Sequence, residues 1–159
     1  MQNFEAFREI IATPQRIVIT THYKPDADAL GSSLGLAGYL KKKGHQVQVV
    51  TPSDYPRFLN WMQGNDEVLN FEDSKAQKQA IKYLNEADLI FCLDFSALGR
   101  IEAMAEYVGK AKATKVMIDH HINPESFATF VYHDTKASAT AQLIYQLIVL
   151  LGDKNLIDI

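Results

Sequence analysis

Hydrophobic and polar positions follow two alternating rhythms along this chain. Unbroken apolar runs occur at Arg16–Thr21 (RIVITT), Gln46–Val50, Asp88–Leu93, Thr114–Ile118 (TKVMI) and Phe127–Tyr132. Their length and β-branched content suit strands buried on both faces. Between them apolar residues recur at helical spacing. Phe4, Phe7, Ile10 and Ile11 form a first stripe, stopped by Thr13-Pro14. Asp28–Lys43 carries small residues on one side (Ala29, Gly31, Ser32, Gly35, Gly38) and packs through Leu30, Leu34, Leu36 and Leu40. It ends in Lys41-Lys42-Lys43-Gly44, where basic side chains complement the negative helix end and glycine supplies a left-handed cap. Lys75–Leu84, Ala97–Lys112 and Ser138–Leu151 read as further helices.

Strands that alternate with helices predict βαβ units. The expected fold is therefore α/β, with a doubly wound, mostly parallel five-stranded sheet and helices on both faces. Glu67–Phe71 adds a short marginal strand. Thr51–Gly64 reads as a loop with a helical turn at Phe58–Met62, and its Phe58 and Trp61 are expected to pack under the loop rather than stack on a base. No internal repeat or low-complexity tract interrupts the pattern. The charged stretch Glu72–Lys82 is a solvated helix face.

Composition narrows the partners. At 159 residues, with 47% hydrophobic and 22% charged positions, the chain has the makeup of one domain with a substantial core. A net charge of -3 offers no basic footprint for long duplex nucleic acid, which favours short or small phosphate substrates. No run approaches the ~20 apolar residues of a membrane span. The first residues, MQNFEAFREIIA, place Glu5 and Glu9 in an amphipathic helix rather than a signal-peptide core, so a cytoplasmic location is expected. Cys92 is the sole cysteine and lies within an apolar run, as a buried packing residue does.

The chemistry sits where the strands end. Arg16–Thr21 runs into His22-Tyr-Lys-Pro-Asp26-Ala-Asp28, Asp88–Leu93 into Asp94, and Thr114–Ile118 into Asp119-His120-His121. In a parallel α/β sheet such positions converge on one crevice. Asp26 and Asp28 alone fit a helix cap as well as a metal pair. Asp94, closing the most hydrophobic strand, is costly as an anion unless it is paired or coordinated, and its two oxygens suit a bridge between two ions. Two successive histidines after an aspartate add imidazole ligands, which favour manganese over a hard-oxygen metal.

His22-x-x-x-Asp26-x-Asp28, the strand-terminal Asp94 and the triplet Asp119-His120-His121 resemble the first three signature motifs of the DHH phosphoesterases. The surrounding segments THYKPDADALGSSLGLAGYLKKKGH, LDFSALGRI and MIDHHINPESFATFVYHDTKASATAQLIYQLI are most similar to the nanoRNase group, whose members hydrolyse short oligoribonucleotides and the 3′-phosphate of phosphoadenosine phosphate. The resemblance implies a binuclear centre of two Mn2+ ions, with Mg2+ or Co2+ as substitutes. His22 and Asp26 would hold the first ion, Asp28 and His120 the second, and Asp94 both. It also implies a metal-activated water, His121 facing the substrate phosphate, and Asp119 orienting the histidines. A fourth-motif aspartate and a Gly-Gly-Gly-His substrate-binding domain are absent from residues 1–159. The expectation is an N-terminal catalytic domain of a longer enzyme, itself poorly active. Its exposed docking face leaves room for a homo-oligomer.

Other readings stand beside this one. RecJ-like exonuclease, cyclic dinucleotide phosphodiesterase, exopolyphosphatase and pyrophosphatase are alternative activities within the same family, and a noncatalytic metal- or nucleotide-binding module is the alternative outside catalysis. A dinucleotide-binding domain is disfavoured, because no Gly-x-Gly-x-x-Gly follows the first strand. Arg100 is a candidate phosphate donor, with helix packing or an ion pair as its plainer role. Ser32 and Ser33 read as phosphate donors or as close-packing residues. Tyr23 flanks the metal motif. His45 and His133 are expected on the surface.

Overall fold

The computed structural model describes residues 1–158. The elements are α1 (Phe4–Ile11), β1 (Arg16–Thr21), α2 (Ala27–Lys42), β2 (Gln46–Thr51), β3 (Leu69–Asn70), α3 (Ser74–Glu86), β4 (Leu89–Leu93), α4 (Met104–Lys110), β5 (Thr114–Asp119), β6 (Phe130–His133) and α5 (Thr140–Leu150). They form a six-stranded sheet in the order β3-β2-β1-β4-β5-β6, with every neighbouring pair parallel. The sixth strand is the short segment within Glu67–Phe71, which pairs Leu69 with Val50 and Asn70 with Thr51.

Side-chain alternation along each strand separates two cores. Ile17, Ile19, Phe91, Leu93, Val116 and Ile118 pack with α1, α2 and α5 on one face. Val18, Val50, Ile90 and Cys92 pack with α3 and α4 on the other. Both faces are thus covered, as a parallel sheet requires. Cys92 is fully buried, and burial pushes its thiol pKa up to about 12, so it is a packing residue.

Two local expectations are corrected. Ala97–Lys112 is not one helix: a 3-10 turn at Leu98–Ile101 ends at Glu102, whose φ of 49° and ψ of -124° break the helical path before α4 begins. Phe58 and Trp61 do not pack under their loop; they are 73% and 79% exposed. Leu59, at 2% exposure, anchors that segment instead.

Strand register explains how the site is assembled. Thr21 pairs with Leu93, and Leu93 with Ile118, so β1, β4 and β5 finish side by side. The residues that follow, His22, Asp94 and Asp119, must emerge together. The chain turns from β1 toward β2 on one side, while β4 adds on the other, making this edge the topological switch point where α/β sheets bind ligands.

Candidate metal centre

Asp94 occupies the middle of the crevice. It is 3% exposed and takes a left-handed backbone with φ of 65°, an uncommon conformation for a non-glycine residue and one found at functional sites. Its two oxygens face different imidazoles. Oδ2 lies 3.4 Å from His22 Nε2, and Oδ1 lies 3.3 Å from His120 Nε2. Asp26, the N-cap of α2, accepts a 2.9 Å bond from the Ala29 amide through Oδ1, which also lies 3.8 Å from His22 Nε2. The capping and ligand readings of Asp26 are therefore compatible.

Two of the imidazoles, His22 and His121, are oriented through Nδ1. His22 Nδ1 is 2.8 Å from the Tyr23 carbonyl, a partner that can only accept, so Nδ1 carries a proton and Nε2 is turned toward the carboxylates. Asp119 is fully buried and spends both oxygens on His121: Oδ2 accepts its amide at 3.0 Å and Oδ1 meets its Nδ1 at 2.6 Å. His133, on β6, donates from Nε2 to the His121 carbonyl.

Charge at this point calls for a cation. Among the described residues, the ion pairs of Asp26, Asp28 and Asp94 are all with histidines and none with lysine or arginine. Burial alone would raise the Asp94 pKa, but hydrogen bonds from His22 and Thr140 and the nearby imidazole charge outweigh it and hold the carboxylate below its ordinary range. The bond to Asp94 in turn raises the His22 pKa, against the opposing effect of burial. One ligand atom each from His22, Asp26 and Asp94 fall within 4.8 Å of one another, as do those of Asp94, His120 and His121. A shared buried carboxylate flanked by two imidazole clusters fits a divalent metal pair in its donor chemistry.

The second carboxylate of the Asp26-Ala-Asp28 motif is held by the far end of the chain. Asp28 Oδ2 accepts the Thr140 amide at 2.9 Å and Oδ1 the Ala141 amide at 3.0 Å, at the N-terminus of α5. Asp28 Oδ2 lies 3.6 Å from His120 Nε2. The Thr140 hydroxyl donates to Asp94 Oδ1 at 3.0 Å.

Comparison with known proteins places this arrangement. The profile of the DHH family's N-terminal domain matches residues 16–158. The chain belongs to the DHH family. A bifunctional oligoribonuclease and PAP phosphatase of Thermus thermophilus is 32% identical over 86% of this chain and 37% of its own length. A cyclic-di-AMP phosphodiesterase of Listeria monocytogenes is 24% identical over 90% of this chain and 22% of its own. The crystal structure of an exopolyphosphatase-related protein of Bacteroides fragilis superposes with a TM-score of 0.94 at 38% identity, covering 98% of this chain and 45% of that one. This DHH domain thus spans 22–45% of the length of those relatives. The two curated relatives are hydrolases of phosphoester bonds.

Most predicted site residues of the DHH domain meet in the crevice. His22, Asp26, Asp28, Asp94, His120 and His121 all lie within ion-pair distance of another member of the set, with Asp119 beneath His121. Arg100 is not packed in a helix and, among the described residues, is in no ion pair; it is exposed on the 3-10 turn, where its carbonyl accepts the Tyr23 amide at 2.8 Å. Ser32 and Ser33 are buried and donate to the Ala29 carbonyl, as close-packing residues of α2. Tyr23 donates to Glu72.

Both remaining histidines differ from expectation. His133 is half-buried because its bond to His121 draws it into the DHH loop. His45 is 6% exposed because its Nδ1 accepts the Gln15 amide, fastening the turn before β1 to the turn before β2. Thr140 is a site residue that the sequence pattern does not mark. Its only local signal is a threonine opening an apolar helical run.

Proposed function

We propose that this DHH domain is the catalytic part of a metal-dependent phosphoesterase that acts on short oligoribonucleotides and on the 3′-phosphate of phosphoadenosine phosphate. The observation that carries the metal half of this reading is the buried Asp94, with each oxygen facing a different imidazole. The substrate half rests on likeness to the Thermus thermophilus oligoribonuclease and PAP phosphatase. His22, Asp26 and Asp94 would hold one ion; Asp28, His120 and Asp94 would hold the other. Mixed carboxylate and imidazole donors favour Mn2+, with Mg2+ or Co2+ as substitutes.

When bound, such ions supply Lewis-acid stabilisation of phosphoryl charge and a water of lowered pKa. The side chains do the rest. His121, tied at Nδ1 to Asp119, has Nε2 left to face a phosphoryl oxygen, donating to it when the ring carries its second proton. Asp119 keeps that ring in one orientation and favours the proton on Nδ1. Arg100, exposed and free of an ion pair among the described residues, suits a bidentate grip on a phosphate. With a net charge of -3, the domain offers no broad basic surface, in keeping with small or short substrates.

The test is a hydrolysis panel with Mn2+, run on this chain and on the complete gene product separately. The panel contains phosphoadenosine phosphate, short RNA oligonucleotides, cyclic-di-AMP and pyrophosphate. Release of phosphate from the first and mononucleotides from the second is expected. Turnover of pyrophosphate alone, or of cyclic-di-AMP alone, would overturn the substrate assignment.

A further inference from the structure

We infer that Thr140 is a positioning residue that holds two carboxylates of the metal centre, the shared Asp94 through its hydroxyl and Asp28 through its amide. The inference rests on the proposed metal-binding role of those carboxylates and adds a residue that lies 46 positions from one and 112 from the other in sequence. A bridging role demands a fixed carboxylate plane, so that one oxygen faces each ion. The χ2 angle of an aspartate has only a broad, roughly two-fold preference, and Asp94 is not oriented by any lysine or arginine ion pair among the described residues. The Thr140 hydroxyl supplies the missing constraint. It meets Oδ1 at 3.0 Å, which leaves Oδ2 toward His22.

Thr140 suits this task for three reasons. It is fully buried, so water does not replace its hydroxyl. Its β-branched side chain is stiff at χ1. It sits at the first position of α5, where its own amide has no partner within the helix and donates to Asp28 instead. The Ala141 amide takes the second Asp28 oxygen. Asp28 thereby lies at the N-terminal end of α5, 3.6 Å from His120 Nε2. One residue thus couples the exit of β4 to the start of α2, and the two proposed ion positions differ: Thr140 contacts the carboxylates nearest His120, not Asp26 beside His22.

Two readouts separate this inference from the metal assignment beneath it. The first is metal-free: crystal structures of Thr140→Val and Thr140→Ser without added metal. Valine keeps the shape and removes the hydroxyl, and Thr140→Ala replaces it if valine prevents folding, which a thermal melt reports. The Asp94 carboxylate is expected to turn away from its two-imidazole orientation in Val or Ala and keep it in Ser. An unchanged orientation in the hydroxyl-free variant would overturn the inference, whether or not any metal binds.

The second readout is Mn2+ titration by calorimetry. Affinity for the ion beside His120 should fall roughly 10–100-fold in Thr140→Val, as for loss of an orienting partner of a metal ligand. Thr140→Ser should restore it, and the ion beside His22, which shares Asp94 but not Asp28, should weaken less than the ion beside His120. Equal affinities in wild type and Thr140→Val would also overturn the inference. No Mn2+ binding by the wild-type chain would instead overturn the metal assignment, leaving the metal-free structures to decide Thr140.

Discussion

At the scale of single residues, several side chains of the site are fixed by a second polar contact. Asp119 shows this most clearly: fully buried, it has no route to an ion or substrate, and both oxygens are used to hold His121. Asp119→Ala should cost about 1–3 kcal/mol of stability, the usual penalty for deleting a buried hydrogen-bonding partner. Urea unfolding monitored by circular dichroism measures it; an unchanged midpoint and slope would show that these bonds are not formed in solution. The ligand-type residues were legible in the sequence because each follows an apolar run, and a charge at such a place needs a chemical reason. Thr140 was not, because its partners Asp28 and Asp94 are distant in sequence and the threonine looks like any helix start. His133 reads as a surface residue for the same reason: its bond to His121 exists only because β6 pairs Asp119 with His133.

At the scale of elements, period and punctuation located strands and helices, while local backbone geometry decided where they stop. The stretch Ala97–Lys112 has helical composition throughout, and nothing in it marks Glu102 as the breaking point. Its φ of 49° and ψ of -124° suit glycine far better than a residue with a Cβ. Glu102→Gly is therefore expected to leave the fold intact and raise stability, with relief of about 1–3 kcal/mol of strain partly offset by glycine's greater entropy in the unfolded chain. A lowered thermal midpoint would contradict this.

The turn before β2 gives a pH prediction. His45 accepts the Gln15 amide at Nδ1, so it must be neutral there, and its Nε2 is buried without a hydrogen-bond partner among the described residues. Burial lowers its pKa, and the opposing influence of the Ile11 backbone does not offset this. Because the folded pKa lies below the unfolded value of about 6.5, the unfolded chain binds the extra proton between the two. This contribution to stability is intact above about pH 6.5 and declines as pH falls toward the folded pKa. His45→Asn, whose side-chain oxygen can accept the same amide, should flatten the acid limb of a stability–pH curve. An identical limb in both proteins would remove His45 from the account.

At the scale of the whole molecule, parallel pairing in register explains why distant motifs meet: β1, β4 and β5 end level, and the switch point between β1 and β4 opens the crevice above them. The alternation of strands and helices made this architecture legible, down to helices on both faces. The marginal edge strand is short enough that periodicity could not define it, and the exposed Phe58 and Trp61 were misjudged because hydrophobicity alone does not say which face of a loop reaches the core. Among the described residues, no helix is long and apolar enough to cross a membrane. Trp61 is the sole tryptophan and 79% exposed, so iodide should quench most of the intrinsic fluorescence of dilute protein. A protected, blue-shifted emission would show that this surface is covered, and dependence on protein concentration would identify self-association as the cause. A metal centre built on the shared carboxylate of Asp94 is tested by Mn2+ titration calorimetry of the wild-type chain, Asp94→Asn and the exposed control Asp134→Asn. Binding is expected for the wild type and the control, and in Asp94→Asn the affinity should fall by more than the roughly 10–100-fold typical of losing a residue that orients a metal ligand. Equal Mn2+ affinity in all three proteins would contradict it.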